Sequence, residues 1–459
     1  MHQISVYPGS EFDRRTYRPL LRRDIDRIPQ LAALGSDELD TLKAVSAVFP
    51  FRVNQYVVER LIDWSRVPDD PIYQLTFPQR GMLEPDELAR MVDLVRRDAP
   101  RAELVAAARE IQLRKNPHPA GQAVLNVPSD DLGKLAGIQH KYRETVLFFP
   151  TQGQTCHAYC SYCFRWPQFV GLEDLKFASK EAGRLAHYVE RHPEVTDVLL
   201  TGGDPMVMKT DRLRAYVEPL LEIEHLVHIR IGTKALAYWP YRFTTGDDAD
   251  ALMRLFEKVQ RRGKQIAIMA HMSHPRELGT QAARSAIRRL RAAGCTIRSQ
   301  APLIRRVNDD PAAWATMWRE QLRLGVVPYY MFVERDTGPN HYFEVPLERA
   351  WRVYREAVQQ VGGLGRTVRG PSMSATPGKV CVEGVATVAG ERVLVLTFLQ
   401  GRNPDWVKRP FFARYDPDAA WLGDLRPAFG EDRFFWEDEL SELLENPETR
   451  LWEGDELSA

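Results

Sequence analysis

Between residues 140 and 335 the chain repeats one alternation of apolar and polar positions. Short apolar, β-branched runs stand at Thr145–Phe149, Asp197–Leu200, His228–Ile231, Gln265–Ala270, Thr296–Leu303 and Val326–Val333. Between them, at Lys180–His192, Asp211–Ile223, Asp248–Arg262, Thr280–Ala293 and Pro311–Leu324, apolar residues recur every three or four positions. Short apolar runs read as strands and the longer period as amphipathic helix. Six strands alternating with helices predict an α/β fold on a parallel sheet. The alternation does not separate an open doubly wound sheet from a partial barrel.

The flanks read differently. Up to about residue 135 the pattern is helix and loop. Ser36-Asp-Glu-Leu-Asp offers a capping serine ahead of Leu39, Leu42, Val45 and Val48. Pro50, Pro68 and Pro71 punctuate the region, and further helices start near Glu84-Pro85 and cover Arg101 to Leu113. Asn116 to Asp131, rich in Pro, Gly and Asn, reads as a connection. Past residue 383, Gly384 to Leu399 reads as a β-hairpin turning at Ala389-Gly390. The tail beyond it carries Trp406, Phe411, Phe412, Trp421, Phe434, Phe435 and Trp436, which read as packing or a subunit interface. Three regions result: an N-terminal helical region (1–135), the βα region (136–384) and a C-terminal α+β extension (385–459).

Charge and composition remove several classes of function. Lys plus Arg is 62 and Asp plus Glu is 62 in 459 residues, so the formal net charge is zero. That balance argues against nucleic-acid or polybasic membrane partners. No segment approaches the roughly 20 apolar residues that span a bilayer. The charged stretch Met1 to Arg23 has no apolar core of a secretory signal, so a cytoplasmic, reducing location is expected. Cys156, Cys160, Cys163, Cys295 and Cys381 are too few for a disulfide scaffold.

Three of those cysteines fall in Thr155-Cys156-His-Ala-Tyr-Cys160-Ser-Tyr-Cys163-Phe-Arg165, directly after the first strand. Three thiolates spaced C-x3-C-x2-C can converge on a cuboidal Fe–S cluster and leave one iron without a protein ligand. Zinc with His157 as a fourth ligand is the rival, and buried structural cysteines the plain alternative. Other polar groups stand at or near strand ends. Thr201-Gly202-Gly203-Asp204-Pro205 follows the second strand and Lys234 the third. His271 and His274 follow the fourth, Gln300 lies within the fifth, and Tyr329-Tyr330 within the sixth. Ligands of a parallel βα barrel gather at the C-terminal ends of its strands. A lone Gly-Gly-Asp is also an ordinary tight turn, and each histidine an ordinary structural residue. Six such placements together favour a ligand mouth.

Here the sequence resembles the radical S-adenosylmethionine (SAM) superfamily, with Tyr162 as the aromatic residue before the last cysteine. The resemblance implies a partial TIM barrel of six βα units. It also implies a [4Fe–4S] cluster on Cys156, Cys160 and Cys163, whose open iron binds SAM and yields a 5′-deoxyadenosyl radical. A closer resemblance, over roughly residues 40 to 380, is to the lysine 2,3-aminomutase family. It rests on Cys163-Phe-Arg165, Asp197-Val-Leu-Leu-Thr-Gly-Gly-Asp204, Ile229-Arg-Ile-Gly232-Thr, His271-Met-Ser-His274-Pro-Arg-Glu277, Gln300-Ala-Pro-Leu-Ile-Arg-Arg-Val-Asn308-Asp309 and Pro328-Tyr-Tyr330. It implies that Gly202, Gly203, Asp204, His271, His274 and Gln300 line the SAM pocket, with Asp204 accepting from the SAM ammonium.

The same resemblance implies pyridoxal 5′-phosphate (PLP) as a second cofactor, which needs a lysine for its Schiff base. Lys379, in the Pro-Gly turn Thr376-Pro377-Gly378-Lys379, is the candidate; a solvated lysine after a turn is the plain alternative. Lys141 and Tyr142 match the phosphate-binding segment, with lysine where arginine is usual and Thr145 where a second arginine is usual. Arg165 matches the arginine that holds the substrate carboxylate. The reaction implied is migration of an amine from C2 to C3 of an amino acid. Ser372 replaces one aspartate that lysine-specific members use, and the other falls at Arg335 or Asp336, so a substrate other than plain lysine is expected. A one-electron donor such as flavodoxin or ferredoxin and a homo-oligomer are implied too. No zinc is expected at the C-terminus. The readings that compete are a radical SAM epimerase or modifying enzyme without PLP, and a non-enzymatic metal-binding protein.

Overall fold

Strand by strand, the main sheet is built in chain order. In the computed structural model of the protein, which describes residues 16–116, 126–171 and 177–445, its strands are β1 (Ile138–Tyr142), β2 (Thr145–Phe148), β3 (Asp197–Leu200), β4 (His228–Thr233), β5 (Gln265–His271), β6 (Thr296–Leu303), β7 (Val327–Val333), β8 (Arg369–Ser374), β9 (Gly378–Val388), β10 (Glu391–Gly401) and β11 (Pro410–Arg414). Each pairs with the next. From β2 to β8 the pairing is parallel. It is antiparallel between β1 and β2 and from β8 onward. A doubly wound sheet would reverse its strand order at a switch point. Sequential order with a crossover after each strand is the barrel solution. Among the described residues β1 and β11 do not pair, so the barrel is partial and open at one seam.

Local chemistry fixes the crossovers. In Pro311–Leu324 the Asp310 carboxylate accepts from the backbone N–H of Ala312 and Ala313, both at 3.1 Å, and Gly325 ends the helix at φ +74°. These are the two ends that orphan helix groups require. Trp314, Ala315, Met317, Trp318 and Gln321 form its buried face. In β5, Ile266 through Ala270 are all buried, because a parallel sheet covered on both faces shows no alternation.

Four details depart from the sequence reading. The first helix is Ser36–Val48, but its cap is Gly35, whose N–H is taken by Glu38 at 2.6 Å; Ser36 is the first helical residue. Pro71 does not merely punctuate: it opens the helix Pro71–Thr76 behind the capping carboxylate of Asp70. β8 is a seventh parallel strand that the pattern hid, since Arg369-Gly-Pro-Ser-Met-Ser374 has strand-poor composition and buries both faces. The hairpin of β9 and β10 begins at Gly378 rather than Gly384. Residues 117–125 of the expected connection lie outside the described residues.

Among the described residues the buried hydrophobic side chains form three cores. One lies between the parallel sheet and its helices. A second joins N-terminal residues such as Leu42, Val57 and Phe77 to Tyr162, Trp166, Tyr238, Ile304 and Phe343, which lie in segments following β2, β4, β6 and β7. The N-terminal region therefore packs at the barrel mouth. The third packs β8 to β10 with Trp406, Phe411, Phe434 and Trp436, so the aromatic tail is core. Among the described residues no helix is long and apolar enough to cross a membrane.

Candidate active site

The cysteine loop leaves β2 and is clamped by the N-terminal region. Asn54 donates from Nδ2 to the carbonyls of His157 (3.1 Å) and Tyr238 (3.0 Å), and Tyr17 Oη donates to His157 O at 2.8 Å. The backbone N–H groups of Tyr159 and Ser161 donate to Arg52 O and Leu75 O. Cys156, Cys160 and Cys163 are half-buried and free, with Cys160 Sγ at 3.6 Å from Tyr238 Oη. Burial pushes all three thiols upward, Cys163 to about 12, so a metal must displace the protons to make thiolates. His157 is buried, held to about 3, and its Nδ1 makes no hydrogen bond, with Asp204 Oδ2 4.0 Å away. Among the described residues no three His, Cys, Asp or Glu side chains close around a single metal ion. A cuboidal cluster asks for a different geometry, one thiolate on each of three irons.

The Gly-Gly-Asp turn after β3 presses against this loop. Gly202 has φ +132°, and a Cβ at Gly203 would stand 2.5 Å from Thr155 N and 2.6 Å from Thr155 O. Asp204 N donates to Thr155 O at 2.7 Å. The glycines therefore admit the backbone just ahead of Cys156. The Asp204 carboxylate accepts from Met206 N (2.9 Å), Thr233 Oγ1 (2.7 Å) and Lys234 N (3.0 Å), and burial raises it to about 6. The expected ammonium acceptor is thus a structural clasp between the ends of β3 and β4, its oxygens spent on the protein.

Beyond β4 and β5 lies a buried polar network. Lys234 Nζ is 2.8 Å from Glu277 Oε1 and donates to Ser273 Oγ at 3.2 Å. Tyr162 Oη is 2.7 Å from His271 Nε2 and 3.2 Å from Ser273 Oγ. Tyr162 thereby connects the cysteine loop to β5, and burial keeps His271 neutral, well below the usual histidine range. His271, Gln300 and Tyr330 are direct neighbours across β5, β6 and β7, so one rung carries three of the expected mouth residues. His274 caps the turn Pro275–Leu278, its Nδ1 accepting from Arg276 N at 3.2 Å. That bond makes it a turn former; nothing in the contacts directs it to a ligand. Glu277, the partner of Lys234, had no role in the sequence reading.

Past β7 the mouth is cationic. Lys379 is the second residue of β9, not part of the turn; that turn closes before it, with Ala375 N donating to Gly378 O at 2.9 Å. Its Nζ donates to Gln400 Oε1 at 3.0 Å and stands 4.2 Å from the centre of the Tyr330 ring. Burial, with the charges of Arg230 and Arg369, brings Lys379 down to about 7. Lys141 Nζ donates to Ala375 O and stands 5.3 Å from the Tyr142 ring. Arg165 and Arg335 both lie by Phe164, at 5.0 and 5.2 Å, and Arg165 also sits 4.5 Å from the Phe149 ring. Burial lowers Arg165 to about 10. Buried polar atoms without partners gather at this side: Arg335 Nε, Ser372 Oγ and both carboxyl oxygens of Glu334. Such groups are costly unless something meets them. The arrangement can bind carboxylates and phosphates and offers, in Lys379, an amine that is partly neutral near pH 7.

No protein-family model matches the chain. Individual relatives do. A protein of Aquifex aeolicus (strain VF5) named "Putative L-lysine 2,3-aminomutase" is 30% identical over 408 residues, 89% of this chain and 94% of that protein. The glutamate 2,3-aminomutase of Clostridioides difficile (strain 630) is 25% identical over 348 residues, 75% of this chain and 71% of that protein. The L-lysine 2,3-aminomutase of Escherichia coli (strain K12) is 30% identical over 230 residues, 50% of this chain and 63% of that protein. A solved radical SAM methyltransferase from Sphaerobacter thermophilus covers 64% of this chain and 94% of its own at 15% identity, with a TM-score of 0.33. The open barrel in sequential order, the cysteine loop after its first parallel strand and the curated relatives define a radical SAM enzyme. More narrowly, the chain belongs to the lysine 2,3-aminomutase family, and it is an isomerase. The family implies a [4Fe–4S] cluster and SAM.

Proposed function

We propose that the protein is a PLP-dependent 2,3-aminomutase acting on an amino acid other than plain lysine. The observation that carries this reading is Lys379: an amine brought to about 7 by burial, on the barrel mouth, facing an aromatic ring and surrounded by cations. A buried lysine of this kind is a nucleophile at neutral pH. The anion-binding groups around it suit a phosphorylated cofactor and an amino-acid carboxylate.

Cys156, Cys160 and Cys163 would hold the cluster, with one iron left for SAM. Gly202 and Gly203 follow β3, His271 ends β5 and Gln300 pairs with it on β6; these residues would shape the SAM pocket. PLP, when bound, supplies an electrophilic carbonyl for an amine and a π-system that spreads an unpaired electron. Gln400 orients the Lys379 amine, and Lys379 Nζ can take or release a proton near neutral pH. Arg165, held between Phe149 and Phe164, presents a planar fork to the substrate carboxylate. Arg335 lies by the same Phe164 ring and, with Ser372, faces the rest of the substrate. A guanidinium there repels a distal ammonium, which favours a neutral or anionic side chain. The packed N-terminal region shields the mouth from water. A one-electron donor of the flavodoxin or ferredoxin type, a homo-oligomer and a cytoplasmic location complete the proposal.

The test is anaerobic. Reconstituted protein titrated with PLP should develop a visible absorbance band that Lys379→Ala abolishes. It should then couple deuterium exchange through 5′-deoxyadenosine to an amino acid with a neutral or anionic side chain. A wild type that forms no such band, yet still cleaves SAM, leaves the radical SAM enzyme without PLP as the correct reading.

A further inference from the structure

The open seam of the barrel is bridged by two cations that reach the same turn from opposite ends of the sheet. Lys141, on β1, donates from Nζ to Ala375 O. Arg402, just past the end of β10, donates from Nε to Thr376 O at 2.9 Å and from its backbone N–H to Pro377 O at 3.0 Å. Both therefore grip consecutive carbonyls of the turn that delivers Lys379. Tyr142 lies between them in charge terms: its ring is 5.3 Å from Lys141 Nζ, and it feels Arg402 and Arg335.

We infer that Arg402 adds a second cation to the phosphate contact already expected of Lys141, so that the C-terminal extension completes the cofactor pocket. This rests on the PLP reading above. Two cations fixed side by side on one turn, with no carboxylate bonded to either among the described residues, call for an anion. A phosphate monoester carries about −1.5 to −2 charges at pH 7. Lys141 brings one point charge, while Arg402 uses only Nε on the turn and keeps its Nη groups for a forked contact. Thr145 does not contribute, because it is buried on β2 and its hydroxyl serves the Asp197 carboxylate. Burial lowers both Lys141 and Arg402, and the charge of Arg402 lowers Lys141 further, a strain that a bound dianion relieves. Arg402 stands beyond residue 380, where the motifs behind the resemblance end, but within the 408 residues that the Aquifex aeolicus relative matches.

The experiment compares wild type, Arg402→Gln and Arg402→Lys in the full-length reconstituted enzyme. The Lys379-dependent absorbance band is titrated with PLP, with pyridoxal (which lacks the phosphate), and with PLP against inorganic phosphate. R402Q should weaken PLP about 10- to 100-fold, the worth of a charge-assisted contact. Pyridoxal affinity should not change, which also reports an intact pocket. R402K should fall between. Inorganic phosphate should compete with PLP in the wild type and lose that competition in R402Q. Equal loss of PLP and pyridoxal would make Arg402 a mere brace for the turn, and unchanged PLP affinity would remove it from the site; either overturns the inference while leaving the PLP reading standing. If the wild type forms no Lys379-dependent band, the PLP reading falls and the inference with it.

Discussion

The amine of Lys379 sits 4.2 Å from the centre of the Tyr330 ring, although Tyr330 lies on β7 and Lys379 on β9. The side chain thus reaches across β8, whose small residues Gly370, Ser372 and Ser374 leave it passage. Ring, amide of Gln400 and amine form one unit at the mouth.

Only the neutral amine attacks a carbonyl. With Lys379 near 7 instead of the ordinary lysine range, its neutral fraction rises through neutrality and is nearly complete one to two units above. The initial rate at which apo-protein develops its PLP band should therefore climb to about pH 7 and then level off. Stopped-flow absorbance between about pH 5 and about pH 9, two units either side of neutral, reads this; a rate still rising tenfold per unit at the alkaline end contradicts it.

Glu334 is buried without a partner, and burial together with Glu344 and Asp336 pushes its carboxyl well upward. In the unfolded chain it ionises at about 4.3. Above that pH the native state holds a proton that the unfolded state has lost, so stability falls as pH rises, by up to about 1.4 kcal/mol per unit. Glu334→Gln keeps the shape and has no proton to lose. The variant should melt higher than wild type at pH 8 and close to it at pH 5, in thermal scans by circular dichroism.

Lys234 and Glu277 form a buried pair, 2.8 Å apart. Lys234→Met leaves a carboxylate buried and unpaired and should cost about 3–5 kcal/mol in urea unfolding. The double variant K234M/E277Q should recover part of that loss. If K234M alone costs nothing, water or another cation replaces the lysine.

Gly203→Ala drives a methyl group into Thr155, the residue before Cys156. Overpacking of this kind costs about 1–3 kcal/mol, here taken up by displacing the cysteine loop. Iron and sulfide per chain after anaerobic reconstitution should fall well below wild type. Full iron loading in G203A would mean that the loop yields without harm.

Cys160→Ala should abolish 5′-deoxyadenosine formation while leaving the thermal unfolding midpoint nearly unchanged. Its sulfur lies at the mouth beside Tyr238, and half-buried contacts there carry little of the core. Persistent SAM cleavage in the variant would remove Cys160 from the cluster.

The sequence by itself determined the βα alternation, because amphipathic periods are local. Pro311–Leu324 was legible to the residue, and the six parallel strands to within two residues at either end. It also placed the cysteines after the first of those strands and polar groups at the ends of the others. Whether the sheet is open-wound or barrel-like was decided only by strand order, a long-range property. The same holds for Asp204 and His274, whose residue types suggested ligands: the fold engages the Asp204 carboxylate with Met206 N, Thr233 Oγ1 and Lys234 N, and His274 Nδ1 with Arg276 N. Arg402 and Glu277 acquire partners distant in sequence, Arg402 on the turn before Lys379 and Glu277 at Lys234, and nothing local to either residue announces that partner. Lys379 was visible as a residue. Its depressed basicity exists only because the folded chain places it beside Tyr330 and among other cations, partly withdrawn from water.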